Sequence, residues 1–297
     1  MSEDVSEDRS DGEGGATYQW VRGELLNRLT DGTYVLDSRL PSQRELAEEF
    51  NVSRDTVQKV LRELAGEGWI TSRQGSGTRV IRGQSPISSP GGRSVSLEEL
   101  MDEAFQKPEV TLDVYTLSSE TLAFQIHRQD EQIRLKRPKL QRIALRMLLP
   151  AKNLTGRQYP KAVDDKDDAA VWERHLDTMR RSTDAIQEKL QGLKAEGYVP
   201  SVDLEIRYVN LQPTQKVYLV NGTAMLSAPY VPVMRPIYLV AHDKHVEAFD
   251  VLGVGAPLTY DVKDDHEHSP ASQRVANHRK WFDAMWELLA RAEHHRP

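Results

Sequence analysis

The chain has 297 residues, of which 38% are hydrophobic and 28% charged, and its formal net charge is −6. This length and composition are typical of a globular protein of about two domains, and no apolar run reaches the roughly 20 residues of a membrane-spanning helix. The lack of cysteine excludes disulfides, zinc–cysteine sites and cysteine nucleophiles, and the acidic N-terminus has no signal-peptide pattern, so we expect a cytoplasmic protein.

The first elements of the chain are an acidic tail and an amphipathic helix. Residues 1–15 are rich in acidic residues, serine and glycine, which predicts a disordered tail. Apolar residues from Tyr18 to Leu29 recur at helical spacing and predict the first helix. Asp31-Gly32 is a turn signal that ends it.

Two short amphipathic helices follow across a three-residue turn. Residues 40–70 read LPSQRELAEEFNVSRDTVQKVLRELAGEGWI. Ser42 and Glu45 have the spacing of a capping box at the start of one helix, and Ser53 is the expected N-cap of the next. Two short strands follow, joined at Gly75-Ser76-Gly77. This order predicts a winged helix-turn-helix domain over residues 16–82, which is a DNA-reading module.

The early residues of the helix that begins after Ser53 are candidates for reading bases in the major groove. Arg54 can bind guanine through two hydrogen bonds, and Gln58 can pair with adenine. The hydroxyls of Ser53 and Thr56 suit contacts with phosphate or bases. Arg44, early in the preceding helix, is expected to contact the DNA backbone.

The wing supplies a second set of candidate DNA contacts at Gly75, Ser76 and Gly77. The two glycines lack a Cβ atom and let the wing backbone lie close to sugar and phosphate. Although the whole chain is acidic, several cations fall on or beside the reading elements. These are Arg44, Arg54, Lys59, Arg73 and Arg79.

Residues 17–82 resemble the N-terminal winged-helix domain of the GntR family of bacterial transcription regulators. The resemblance lies in the string LPSQRELAEEFNVSRDTVQKVLRELAGEGWI and in the wing sequence RQGSGTRV. It implies a homodimer, an effector-binding C-terminal domain, and operator contacts from Arg44, Ser53, Arg54, Thr56 and Gly75. Gln58 stands where the family often has a basic or small residue, which leaves the operator bases open.

The C-terminal part is predicted to be a larger α/β sheet domain for effector binding and dimerisation. Residues 83–96 (GQSPISSPGGRSVS) predict a linker, and residues 97–297 alternate between strand and helix patterns. The predicted strands are 110–115, 142–149, 202–209, 217–220, 224–227 and 237–240. The predicted helices are 118–135, 169–195, 244–252 and 270–292.

Residues 214–227 (TQKVYLVNGTAMLS) are similar to part of the phospholipase-D-like phosphodiesterase fold, whose strand carries His-x-Lys-x4-Asp. Lys216 and Asn221 stand at the Lys and Asp positions, while Thr214 replaces the nucleophilic histidine. The resemblance implies an inactive copy in which Lys216, Asn221 and Ser227 bind an effector. The same residues also fit a plain β-hairpin that turns at Asn221-Gly222.

The last predicted helix brings large apolar residues close together. Trp281, Phe282, Met285 and Trp286 can dock this helix into the core, or part of their surface can form a dimer seam. We therefore expect Trp281 and Trp286 to be candidate contacts between two copies of the chain.

Together these patterns predict a ligand-responsive repressor that binds an inverted-repeat DNA operator as a homodimer. We expect a small-molecule effector, no catalytic activity, no cofactor, no metal and no membrane partner. Two alternatives stay open: a phosphodiesterase-like enzyme joined to a winged helix, and a constitutive DNA-binding scaffold without an effector. A ligand-induced rise in melting temperature would separate the regulator from the scaffold.

Overall fold

A computed structural model describes residues 10–30, 34, 38–66, 69–73, 77–80, 95–239, 242, 244–252, 258–266 and 268–292. The chain divides into two units, one made of Met1–Ile87 with Arg235–Glu247 and the other of Ser88–Met234 with Ala248–Pro297. No helix within these described ranges is long and apolar enough to cross a membrane.

Among the described residues before the linker, the first unit forms three helices and a two-stranded antiparallel sheet. Their bounds are α1 Ser10–Thr30, α2 Gln43–Glu49, α3 Arg54–Gly66, β1 Ile70–Arg73 and β2 Gly77–Val80. The helices meet in an apolar core because each presents aliphatic residues at three- and four-residue spacing on one side. The buried residues include Leu25 and Leu29 of α1, Leu46 of α2 and Leu64 of α3.

Helix α1 begins earlier than the sequence pattern predicts. Residues 10–15, which the sequence pattern assigns to the tail, belong to α1, and residues 1–9 lie outside the described part. An established helix extends by one hydrogen bond per residue without a new nucleation cost.

The predicted linker lies mostly outside the described residues, which resume at Val95. Ser96 and Glu99 form a capping box that starts helix α4, since each side chain accepts a hydrogen bond from the other residue's backbone N–H. The remaining elements are α4 Leu97–Ala104, β3 Glu109–Tyr115, α5 Glu120–Lys136, β4 Arg142–Pro150, β5 Lys161–Ala162, α6 Asp165–Ala195, β6 Ser201–Val209, β7 Gln215–Val220, β8 Ala224–Pro229, β9 Val231–Leu239, β10 Lys244–Leu252, β11 Thr259–Val262, α7 Pro270–Ala284, a turn of π-helix Met285–Leu289, and β12 Arg291–Ala292.

A mixed seven-stranded sheet with the order β11-β8-β7-β3-β4-β6-β12 organises the second unit. Strands β3, β4 and β6 are parallel, and helices α5 and α6 connect them. The α/β class predicted from the alternation of strands and helices is therefore confirmed. A second sheet has the order β5-β10-β9.

Helices cover both faces of the seven-stranded sheet. On one face, Ile126 of α5 and Ile186 of α6 pack with alternate strand residues such as Leu112 and Leu145. On the other face, residues of α7 and the π-helical turn form a separate apolar cluster. The alternation of side chains along each strand thus divides the interior into two layers.

Two predictions for the end of the chain need correction. Residues 244–252, predicted as a helix, form strand β10, in which buried Val246, Ala248 and Asp250 alternate with exposed residues. Trp286 is only 2% exposed and stacks on Phe282 inside the sheet-covering cluster. It is therefore a core residue and is not available as a dimer contact.

Candidate nucleic-acid interface

Helix α2 starts at a capping box that local sequence signals predicted. The backbone N–H of Ser42 donates to Oε2 of Glu45 at 2.7 Å, and the N–H of Glu45 donates to Oγ of Ser42 at 3.3 Å. The hydrogen bond from the Ser42 backbone lowers the pKa of Glu45, which stays ionised in the cap. Arg44 is thereby held in the first turn of α2, where its side chain is exposed.

Helix α3 is capped by Ser53, whose Oγ accepts the backbone N–H of Thr56 at 3.1 Å. The same oxygen lies 2.9 Å from Oγ1 of Thr56, so one of the two hydroxyls donates to the other. One hydroxyl proton of the pair remains for an outside acceptor. The Ser53 side chain therefore caps α3, and any contact that it makes with DNA must be compatible with this hydrogen bond.

The turn between α2 and α3 closes over the apolar core of the first unit. Asn51 adopts the left-handed conformation, with φ 52, as expected at the end of a helix. Phe50 is buried, its ring packs edge-on against Trp20 with centroids 5.6 Å apart, and the guanidinium of Arg28 lies 4.9 Å from it. These contacts anchor the end of α2 against α1.

Two acidic residues of this region, Glu49 and Glu63, form ion pairs with arginines of α1. Glu49 bonds with Arg28 at 2.5 Å, and Glu63 bonds with Arg22 at 2.7 Å; both arginines belong to α1. Among the described residues, no carboxylate lies within salt-bridge distance of Arg54, which is exposed. The first turn of α3 therefore presents to solvent a guanidinium that no carboxylate of the described residues neutralises.

The wing strands pair from Ile70↔Val80 to Arg73↔Gly77. Gly77 has φ 77, a conformation that a residue with a side chain adopts only with strain. The predicted contacts Gly75 and Ser76 lie outside the described residues.

Arg39 is a candidate DNA contact that sequence reasoning missed. It forms an isolated antiparallel bridge with Arg79 of β2, so both exposed arginines stand on the same face of the wing. The bridge is held by hydrogen bonds from Leu40 N to Thr78 O and from Val80 N to Ser38 O, both 2.9 Å. A basic residue directly before the Leu-Pro-Ser start of α2 was the available signal.

We define the recognition surface as the exposed side chains of Arg39, Arg44, Ser53, Arg54, Gln58 and Arg79 together with the partly exposed Thr56. It combines two capped helices and one wing strand, so hydroxyl, amide and guanidinium donors come from three elements. Such donors suit phosphate oxygens and base edges. The predicted DNA-contacting residues of α2 and α3 thus lie in one unit with the wing.

The three residues predicted to bind the effector are not brought together. Lys216 is buried near the start of β7, whereas Asn221 is in the hairpin turn at the other end of this strand and accepts the N–H of Thr111 at 2.8 Å. Ser227 pairs with Val217, so its side chain lies on the sheet face opposite to that of Lys216. Asn221 and Gly222 have positive φ values, as a hairpin turn requires.

Residues 17–80 match the family described as bacterial regulatory proteins, gntR family. An arabinose metabolism transcriptional repressor of Halalkalibacterium halodurans is 38% identical over 61 residues, which are 20% of this chain and 16% of that protein. The Exu regulon transcriptional regulator of Escherichia coli K12 is 37% identical over 67 residues, or 23% of this chain and 26% of that protein. The chain thus covers only about a quarter or less of these relatives' lengths.

A solved structure described as AraR(DBD) in complex with operator ORX1 is 30% identical, covering 27% of this chain and 92% of that chain, with a TM-score of 0.22. This score is too low to support a common overall fold. None of these matches supports the similarity of residues 214–227 to phospholipase D. The N-terminal domain is a winged helix-turn-helix of the gntR type.

Proposed function

We propose, on the premise that residues 17–80 are a gntR-type winged helix, that the chain is a DNA-binding transcription regulator. The recognition surface carries this proposal, because it exposes Arg54 and Gln58 in the first turns of α3, and Arg54 has no ion-pair partner among the described residues. A recognition helix enters the major groove with its N-terminal residues toward the bases. Arg54 and Gln58 are then the residues that read bases.

The remaining cations position the domain on the DNA backbone. The Nε of Arg44 lies 3.7 Å from Oε1 of Glu48, and both side chains are about two-thirds exposed. An exposed pair of this kind contributes little energy, so the guanidinium can exchange its carboxylate for a phosphate. Arg39 and Arg79 extend the positive surface along the wing.

The homodimer on an inverted repeat follows from the size of the recognition surface. One winged helix buries too little surface for strong specificity, and two copies related by a twofold axis read two half-sites. Half-sites about one helical turn apart or closer fit this arrangement. We assign dimerisation and effector binding to the second unit, and expect a repressor that releases DNA when its effector binds.

The names of the relatives describe regulators of arabinose metabolism and of the Exu regulon. The family match spans residues 17–80 and does not include the seven-stranded sheet, and the segments shared with these two relatives are only 61 and 67 residues long. The effectors of those proteins therefore do not carry over to this chain.

Selection of bound duplexes from a random DNA library tests the proposal directly. The full chain should enrich an inverted repeat, and its affinity should fall steeply with salt because arginines neutralise phosphates. Enrichment of no sequence, together with binding as weak as to scrambled DNA, would refute sequence-specific regulation. Sedimentation of a monomer at micromolar concentration, both free and on the selected duplex, would refute the dimer.

A further inference from the structure

The first turn of helix α3 carries a carboxylate, that of Asp55, directly after Arg54 in the chain. The side chain of Asp55 is 68% exposed, and Arg54 is exposed as well. A carboxylate on a DNA-binding surface costs affinity, because the phosphates repel it. The place of Asp55 on the helix decides whether its side chain can avoid the DNA.

Asp55 lies opposite the buried side of α3. The buried residues of this helix form one stripe, made of Val57, Val60, Leu61 and Leu64. Successive residues of an α-helix are rotated by about 100°, which sets Asp55 about 170° from the centre of this stripe and Arg54 about 70° from it. A recognition helix that inserts its first turn into the major groove therefore brings the Asp55 side chain into the groove with it.

Lys59 balances the charge of Asp55 in the free protein. Its Nζ lies 2.9 Å from Oδ2 of Asp55, one helical turn away, and the two side chains are 60% and 68% exposed. An exposed pair of this kind contributes little energy. On DNA, the ammonium can turn to a phosphate and leave the carboxylate to a base.

An ionised carboxylate only accepts hydrogen bonds, and this restricts the bases that it can face. In the major groove guanine presents N7 and O6, and thymine presents O4, all of which are acceptors that repel a carboxylate. Adenine presents its N6 amino group next to the acceptor N7. Cytosine is the base that presents an amino donor, N4, without an acceptor.

We propose that Asp55 determines DNA specificity by accepting a hydrogen bond from the N4 amino group of one cytosine in each half-site. Guanine or thymine at this position would set an acceptor against the carboxylate, so Asp55 discriminates by repulsion as well as by attraction. Lys59 then contacts the DNA backbone. This inference rests on the proposed function, because it names a base that the recognition helix reads.

A purely structural role of Asp55 makes a different prediction. Negative charge near a helix N-terminus stabilises the helix, so its removal would lower the free energy of unfolding and affect all duplexes together. Base preference would not change. The preference at a single position of the half-site is therefore the readout that separates the two roles.

The full chain and its variants are compared by selection from a random duplex library. Fluorescence anisotropy then gives Kd for four duplexes that differ only at the cytosine position. For the parent, replacing this cytosine should raise Kd about tenfold, which corresponds to the loss of one hydrogen bond to a charged acceptor. Asp55→Ala should bind the four duplexes with nearly equal affinity, because no side chain then reads this position.

Asp55→Asn gives a sharper test, because the amide keeps the size of the side chain and adds a donor. Asparagine pairs with N6 and N7 of adenine, so the preferred base at this one position should change from cytosine to adenine. Both variants should also bind a scrambled duplex roughly two- to fivefold more tightly at low salt, since a charge that repels phosphate is lost. Glu131→Gln is the matched control, because it removes an exposed carboxylate in the second unit and should leave base preference unchanged.

The possible results distinguish this inference from the proposed function. If the parent enriches an operator and neither variant changes base preference at any position, Asp55 does not read a base, while sequence-specific regulation stands. Tighter binding of both variants to all duplexes, with an unchanged base preference, would show that Asp55 only repels phosphates, and would also overturn the inference. If the parent enriches no sequence, the proposed function fails and this inference fails with it.

Discussion

Replacing Arg54 with alanine should separate DNA reading from folding. Arg54 is the first residue of α3, is exposed, and has no salt bridge among the described residues. A surface substitution of this kind changes the free energy of unfolding by about 0.5 kcal/mol or less. Loss of a two-bond contact with guanine costs about 1–3 kcal/mol per half-site, which is roughly a 5- to 150-fold rise in Kd.

The effect on DNA should therefore exceed the effect on stability severalfold. Fluorescence anisotropy at one fixed salt concentration gives Kd for the selected duplex and for a scrambled duplex, and urea denaturation gives the free energy of unfolding. Arg62→Ala is the matched control, because Arg62 is an exposed arginine two turns later on the same helix. It should retain the parent's specificity, since only the start of the helix faces the bases.

The opposite pattern would refute the placement of the recognition helix. If Arg54→Ala bound the selected duplex as tightly as the parent while Arg62→Ala lost affinity, the C-terminal end of α3 would face the DNA. Equal losses on both selected and scrambled duplexes would show that Arg54 contacts phosphate rather than a base.

Arg44→Ala should weaken binding to all duplexes alike and lower the slope of log K against log salt by about one, because it contacts phosphate; a changed base preference would contradict this role. Ser53→Ala removes the acceptor that caps α3 and should lower the free energy of unfolding by about 0.5–2 kcal/mol in urea, and an unchanged midpoint would argue against the cap. Gly222→Ala should lower the free energy of unfolding by about 1–2 kcal/mol, because φ at this position is +63 and the added Cβ would lie 2.6 Å from Nη1 of Arg279. A free energy of unfolding equal to that of the parent would show that the turn adapts to the added Cβ without strain. Burial lowers the pKa of His175 from 6.5 to about 4. Between these two pH values the unfolded chain binds more protons than the folded chain, so lowering the pH through this interval should reduce the free energy of unfolding of the parent by about 3 kcal/mol more than that of His175→Phe. Parallel pH profiles of parent and variant would contradict that shift.

The winged helix could be predicted almost completely from the sequence. Its helix starts depend on contacts between residues three apart, such as Ser42 with Glu45 and Ser53 with Thr56. Such contacts form within a single turn and need no distant part of the chain. Arg39 was missed because its neighbour in the wing, Arg79, is 40 residues away in sequence, and the two meet only through a β-bridge that forms in the folded domain.

Strand β10 shows where local patterns failed. Residues 244–252 mix charged and apolar residues that fit a short helix as well as a strand. Pairing with β5 at Ala248↔Ala162 and Phe249↔Lys161 selects the extended form, because the sheet supplies backbone partners that a single segment lacks. The sequence also predicted that large apolar residues near the C-terminus lie close together, but only the packing showed that Trp286 is buried within the chain.

By itself the sequence determined the local elements, the α/β class of the second domain, and the resemblance of the first domain to a known DNA-reading family. Only the tertiary structure decided which distant side chains share a site. It placed Asn221 in the hairpin turn at the other end of β7 from Lys216, and Ser227 on the opposite face of the sheet. The physical reason is that strand register is set by the packing of the whole sheet, and a shift of one residue would move every side chain to the opposite face.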